Sequence, residues 1–199
     1  KTILDVGTGT GVLALMLAQR SGAAITGIEI EKNAAAEARE NVRNSPWKQR
    51  IKMLHRSFQD FVAEKSGKYD RIVSNPPFFS NSQKSGDTLM AMARHADLLP
   101  FHDLACGAAE LLADNGALAL ILPVNAAQTF IVIARKQHLF LKRLTEVKPI
   151  VNKAPNRFLM EFGHSPVETQ KDSLTIYRDD GAGFTPEYIA LTRDFYLNF

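Results

Sequence analysis

Lys1-Thr2-Ile3-Leu4-Asp5-Val6 runs into Gly7-Thr8-Gly9-Thr10-Gly11, and Val12 to Arg20 (VLALMLAQR) follows. The first six residues are a short, mostly apolar run and the next five a glycine turn. The last nine are helical by composition, so the order is strand, turn, helix. Working outward, the alternation continues. Ala23 to Ile28 reads as a second strand and Lys32 to Asn44 as a helix rich in Ala and Glu. Ile51 to His55 is a third strand, and Asp70 to Ser74 a fourth that stops at Asn75-Pro76-Pro77. Phe101 to Leu112 is helical, Gly116 ends it, and Ala117 to Leu122 gives a fifth strand. Ala126 to Gln137 is a further helix, with strands around Leu139 to Val147 and Phe158 to Phe162. This alternation predicts an α/β fold: one mostly parallel sheet with helices on both faces, in a single domain over 1–199.

Composition narrows the class. The 199 residues are 45% hydrophobic and 23% charged, enough apolar material for a core without disulfides. No apolar run approaches the roughly 18 residues of a spanning helix, so no membrane partner is expected. Cys106 is the one cysteine and cannot form an internal disulfide, which fits a reducing, cytoplasmic setting. In LACGAAELL it reads as a small buried core residue. The five histidines (His55, His95, His102, His138, His164) are scattered, with no Cys at ligand spacing, so no metal is expected. The chain opens on Lys1 and at once on a core strand, which leads us to expect a preceding native segment.

Charge is distributed unevenly. Lys and Arg number 24 against 21 acids, a net charge of +3. From Arg135 to Arg157, however, Arg135, Lys136, Lys142, Arg143, Lys148, Lys153 and Arg157 face a single acid, Glu146. The run reads either as a solvated face or as a surface for a polyanion such as RNA.

The glycine turn sits where a strand ends and a helix begins, the crevice in which open α/β sheets bind nucleotide-like ligands. Glycine admits positive φ and lets a ligand approach the backbone. Glu29 ends the second strand, where a carboxylate can accept bonds from both ribose hydroxyls. Two ligand classes fit, a dinucleotide or S-adenosylmethionine. The spacing is G-x-G-x-G, with Asp5 two residues before the first glycine. An acid there opposes a pyrophosphate but suits a ligand carrying amino and sulfonium charge. The pattern resembles motif I of class I methyltransferases, which favours S-adenosylmethionine as cofactor.

Ser74-Asn75-Pro76-Pro77-Phe78-Phe79 follows the fourth strand, at the same sheet edge. Two prolines stiffen the backbone and remove two N–H donors. The Asn75 side-chain oxygen and the Pro76 carbonyl can accept the two hydrogens of a planar exocyclic amine. That biases the nitrogen toward tetrahedral geometry and aims its lone pair at a methyl carbon. Phe78 can stack on a base held outside its helix, worth roughly 1–3 kcal/mol. Positioning and aligned dipoles then carry most of the acceleration, with no strong base required.

NPPF with DxGxGxG resembles the class I N-methyltransferases of exocyclic amines or amides. ILDVGTGTGVLALMLAQR, AAAEARENVRNSPW, SNPPFF, MARH and FTPEYIALTRDFYLNF narrow the resemblance to the bacterial valine-tRNA adenine-N6 methyltransferase family, across nearly the whole chain. The resemblance implies a Rossmann-like seven-stranded sheet with a reversed final hairpin, and a tRNA substrate methylated at the adenine next to the anticodon, position 37. It also implies that Asp5, Gly7, Gly9 and Glu29 hold the cofactor, and Asn75, Pro76 and Phe78 the target base. Thr8 and Gly11 complete the cofactor set, Pro77 the catalytic motif, and Phe79 the substrate side. Members of the family carry an aromatic and basic segment before the first strand.

One motif departs from the family. The family's Asp after the third strand is replaced by Arg56-Ser57-Phe58, so Ser57 or a backbone group takes its place, or Phe58 holds the cofactor's adenine by apolar contact. Arg94 and His95 could reach a phosphate beside the target base, or form a helix-surface pair. Trp47 reads as a packing anchor. Tyr188, Leu191, Phe195 and Phe199 recur at near-helical spacing and predict a docked terminal helix, with Thr185 as N-cap and Pro186 in its first turn. Ser80 to Thr88 reads as a mobile loop. A monomeric RNA adenine-N6 methyltransferase is the expectation. A glutamine-amide methyltransferase and a catalytically silent RNA-binding scaffold are the alternatives.

Overall fold

The computed structural model describes residues 1–64, 67–76, 99–180 and 182–196. Pro77, Phe78, Phe79, the Ser80 to Thr88 segment, Arg94, His95 and Phe199 lie outside the described residues. The strands are β1 (Thr2–Val6), β2 (Ala24–Glu29), β3 (Ile51–His55), β4 (Tyr69–Ser74), β5 (Leu112–Pro123), β6 (Phe140–Lys148), β7 (Arg157–Gly163) and β8 (Gln170–Thr175). The described helices are α1 (Val12–Arg20), α2 (Lys32–Arg43), α3 (Phe58–Ala63), α4 (Phe101–Leu111), α5 (Val124–Lys136) and α6 (Pro186–Thr192).

One sheet orders them β3-β2-β1-β4-β5-β7-β6-β8. Only β7 is reversed, antiparallel to β5 and to β6, while β8 pairs parallel to β6. The expected reversed hairpin is therefore present, but the sheet has eight strands rather than seven. Helices cover both faces. α3, α4 and α5 bury Phe58, Phe61, Leu104, Leu111 and Phe130 against Leu4, Ile72, Leu118 and Leu122. α1 and α2 bury Ala14, Ala18, Ala38 and Val42 against Ile3, Ile25, Ile51 and Met53 on the other face. Strands covered on both faces explain why β1, β2 and β5 read as nearly continuous apolar runs. Trp47 packs against the second cluster, as an anchor should.

Four expectations need correction. β5 begins at Leu112, not Ala117, because Tyr69 pairs with Leu112 while Arg71 pairs with Ala117, and the bulge absorbs the residues between. α3 is an additional short helix. Cys106 is only half-buried, with its thiol 3.6 Å from a His102 ring nitrogen rather than sunk in the core. The terminal helix has the predicted Thr185 cap, with the Tyr188 N–H donating to its hydroxyl at 3.2 Å. Yet α6 contains no buried residue, and Leu191 is exposed. Polar contacts tether its end instead. The Arg20 guanidinium donates to the Leu191 carbonyl at 2.6 Å and lies 4.5 Å from the Phe195 ring centroid.

Candidate functional site

β1 and β4 run parallel with Val6 beside Ser74, whose hydroxyl donates to the Val6 carbonyl at 2.8 Å. The residues that follow, Gly7 and Asn75, therefore leave the sheet side by side at its carboxyl edge. This register brings the two decisive motifs of the sequence together. Asn75 is exposed and Pro76 buried.

The glycine turn is fixed from several directions. Gly7 and Thr8 both donate backbone N–H groups to the Ile28 carbonyl at 3.0 Å. Glu29 Oε2 accepts the Gly9 N–H at 2.8 Å, and its Oε1 the Glu31 N–H at 2.9 Å. Each oxygen keeps a second lone pair, so a ribose hydroxyl can still be accepted. Gly7, Gly9 and Gly11 all have positive φ, 69°, 57° and 85°. They differ in surroundings. A side-chain carbon at Gly7 or Gly9 would meet no atom within 4 Å, whereas one at Gly11 would lie 3.2 Å from Met53 Cε and 3.3 Å from Ala38 Cβ. Gly7 and Gly9 thus expose backbone to a ligand, while Gly11 lets α1 approach α2 and β3. Met53 also fills the space beside Gly27 in β2, where an added Cβ would collide with its sulfur.

Asp5 is 1% exposed and accepts the Thr8 hydroxyl at 2.6 Å. Burial pushes its carboxyl up to about 6, with the Thr8 hydrogen bond opposing and the nearby Glu29 charge adding. Thr8 thus spends its hydroxyl on Asp5, inside the turn.

Two cavities meet at Gly7 and Gly9. The smaller, of about 360 Å³, lies on the Glu29 side between Ile28, Ile30, Ala34, Phe58 and Leu99. A carboxylate among apolar walls suits a nucleoside: the ribose on Glu29, the base between hydrocarbon surfaces. The larger, of about 1080 Å³, begins at Asp5, Thr8, Thr10 and Asn75 and opens across β5, β7 and β6 between α1 and α6.

Phe58 therefore meets the smaller cavity, consistent with apolar contact to a base. Ser57 does not line it; its hydroxyl accepts the Asp60 N–H at 3.0 Å and caps α3. Arg56, Glu31 and Leu99 also line this cavity and were not singled out from sequence. Glu31 stood two residues after Glu29, but nothing local marked Leu99. Lys153 and Arg157 are exposed at the β6–β7 connection, at the same carboxyl edge as the glycine turn. Among the described residues no cluster of His, Cys, Asp or Glu could hold a metal, and no helix is long and apolar enough to cross a membrane.

Comparison with known proteins shows the family. Residues 1–129 match the family model of the methyltransferase small domain. A tRNA1(Val) (adenine(37)-N6)-methyltransferase of Trichodesmium erythraeum is 44% identical over 99% of this chain and 83% of its own length. The enzyme of the same description from Parabacteroides distasonis is 42% identical over 98% of this chain and 82% of its own. Among solved structures, a predicted O-methyltransferase from Agrobacterium tumefaciens superposes with a TM-score of 0.76 at 20% identity, covering 96% of this chain and 88% of its own.

Proposed function

Since the chain belongs to the methyltransferase small domain family and to the tRNA1(Val) (adenine(37)-N6)-methyltransferases, we propose that it methylates the N6 amine of adenine 37 in a valine tRNA, with S-adenosylmethionine as methyl donor. The observation that carries this reading is the Val6–Ser74 register, which sets the glycine turn and Asn75 side by side.

The residues fit the cofactor. Glu29 would accept the ribose hydroxyls, Phe58 and its apolar neighbours would enclose the adenine, and the Cβ-free faces of Gly7 and Gly9 would admit the methionine portion. Asp5, buried beside the turn, would supply negative charge toward the ligand's cationic end. Bound there, S-adenosylmethionine supplies an activated methyl group on a sulfonium. The chain's part is positioning. Asn75 Oδ1 and the Pro76 carbonyl accept the two amine hydrogens and hold the lone pair in line with the methyl carbon. The amine would carry positive charge only once methylated, so its own lone pair, held in line by these two acceptors, is the only nucleophile required. Its proton then leaves along the bond to one of these acceptors and on to water, so no buried base is needed. By the sequence motif, Phe78 would stack on the target base, Pro77 would stiffen the catalytic turn and Phe79 would belong to the substrate side, while Arg94 and His95, outside that motif, would meet an adjacent phosphate. Such a protein acts in the cytoplasm as a monomer without a metal.

The test uses bulk tRNA lacking the modification, S-adenosylmethionine labelled in its methyl group, and an Asn75→Ala control. Mass spectrometry of the digested RNA should show labelled N6-methyladenosine confined to one tRNA, and none with the variant. Label in a protein fraction with none in tRNA would overturn the RNA reading in favour of a glutamine amide.

A further inference from the structure

Tyr177, Phe184 and Tyr188 take no part in this chemistry, and none of the three is buried. After β8, Tyr177 forms an antiparallel bridge with Phe184. The two rings stack at 5.1 Å with planes 24° apart, and Phe184 repeats the same geometry on Tyr188 of α6. The result is a pile of three rings. At one end the Tyr188 hydroxyl is hydrogen-bonded to Tyr196. At the other end Tyr177 is 46% exposed.

The exposed end is tied to the basic stretch of the chain. The Ile176 N–H donates to the Lys148 carbonyl and the Tyr177 N–H to the Pro149 carbonyl, both at 2.9 Å. Tyr177 thus stands at the turn joining β6 to β7. That turn carries Lys148, Lys153 and Arg157, none of which forms an ion pair among the described residues. The neighbouring Arg178 and Asp180 neutralise each other at 2.6 Å. An exposed aromatic residue whose backbone is tied to a turn carrying cations without ion-pair partners has one natural complement: an unpaired nucleobase, whose ring stacks while its flanking phosphates meet the cations. Duplex RNA hides its base faces, so the partner is a loop nucleotide.

We propose that Tyr177, backed by Phe184 and Tyr188, is a stacking platform for one unpaired base of the RNA substrate other than the methylated adenine, with Lys148, Lys153 and Arg157 on its phosphates. This rests on the tRNA reading above. It adds a second grip on the loop, formed by residues that touch neither cofactor nor reacting amine.

Abasic scanning of an anticodon stem-loop provides the test, with affinity read by fluorescence anisotropy and methyl transfer measured on the same RNAs. With the wild-type protein, one abasic position besides 37 should weaken binding about 5- to 100-fold. Tyr177→Leu, which keeps an apolar side chain but removes the ring, should weaken the intact loop by the same factor. It should also be indifferent to that abasic position, and raise the KM for RNA while leaving kcat unchanged. Tyr177→Trp should bind as well as wild type, and melting curves will show that both variants fold. Replacing Lys148, Lys153 and Arg157 with Ala should lower the salt slope of binding by about 2. Wild-type affinity in Tyr177→Leu, or a loss that still adds to every abasic position, overturns the platform. A wild-type protein that transfers no methyl to tRNA overturns the functional reading instead, so the two failures are distinguishable.

Discussion

The β1–α1 turn and the β6–β7 turn leave the same edge of the sheet, and they are built in opposite ways. In the first, Asp5 holds Thr8, Glu29 holds Gly9, and Ile28 holds both Gly7 and Thr8. In the second, the main chain is pinned by bonds such as Asn156 N–H to Val147 carbonyl at 3.0 Å, while Lys153 and Arg157 project into solvent. A small cofactor is bound best by groups already oriented, because ordering them on binding would subtract from affinity. A polyanion is bound well by mobile cations that act largely through charge. The two turns therefore fit the two substrates of one reaction.

The largest effect belongs where the two substrates meet. Asn75→Ala should lower kcat by at least about 100-fold, the usual cost of losing one aligned group at the reacting centre, with RNA affinity unchanged. Single-turnover rates together with anisotropy separate the two, and a variant that loses RNA affinity at an unchanged rate would place Asn75 among the binding residues instead. On the rigid side, Glu29→Ala removes the acceptors of the Gly9 and Glu31 N–H groups as well as the ribose. Calorimetry should show a cofactor Kd raised about 10- to 100-fold. The KM for RNA, set by the other turn, should stay where it was.

Asp5 sharpens the comparison because its cost is visible without any ligand. Burial raises its carboxyl to about 6, so the fold favours the neutral form. Its contribution to stability is complete below about pH 4 and is lost as pH rises through 6. At pH 7.5 the buried charge costs about 3 kcal/mol. Asp5→Asn should therefore raise the urea midpoint at pH 7.5, leave it unchanged near pH 4, and weaken cofactor binding. An equal gain at both pH values would show that the charge is not what matters. The smallest effect on function should come from Gly11→Ala. With φ at 85° and Met53 already 3.2 Å from the added carbon, it should lose about 1–3 kcal/mol of stability while leaving the cofactor KM close to wild type. Gly9→Ala should do the reverse, raising that KM, since its side chain enters the ligand's space.

Much of this was legible from the chain. The β1–α1 unit announces itself by glycines between an apolar run and a helix, and the parallel strands β1, β2 and β5 read as apolar runs because both their faces are covered. β8 was not legible, because Gln170-Lys171-Asp172-Ser173 is an exposed edge strand with no apolar alternation to betray it. α3 has six residues, too few for a helical period to show. Of the site, Asp5, Glu29 and Asn75 could be placed since each lies at or just past the carboxyl end of a strand of the parallel core. Gly11 could not be told from Gly7 and Gly9, because the difference lies in Met53 and Ala38, distant in sequence. The ring pile escaped notice for a similar reason. Tyr177 and Phe184 meet through a hairpin rather than along a helix, and helical spacing at Tyr188, Leu191 and Phe195 suggested an anchor that α6 does not provide.

Met53 serves two glycines at once, reaching Gly11 at the start of α1 and Gly27 within β2. Positions 11, 27 and 53 therefore form one unit of inheritance. Alanine at Gly27 should be deleterious alone but tolerated after Met53 is trimmed to a smaller residue, itself costly while both glycines remain. A combinatorial library over these three sites should show sign epistasis, with viable paths between sequences that pass through only some of the intermediate genotypes.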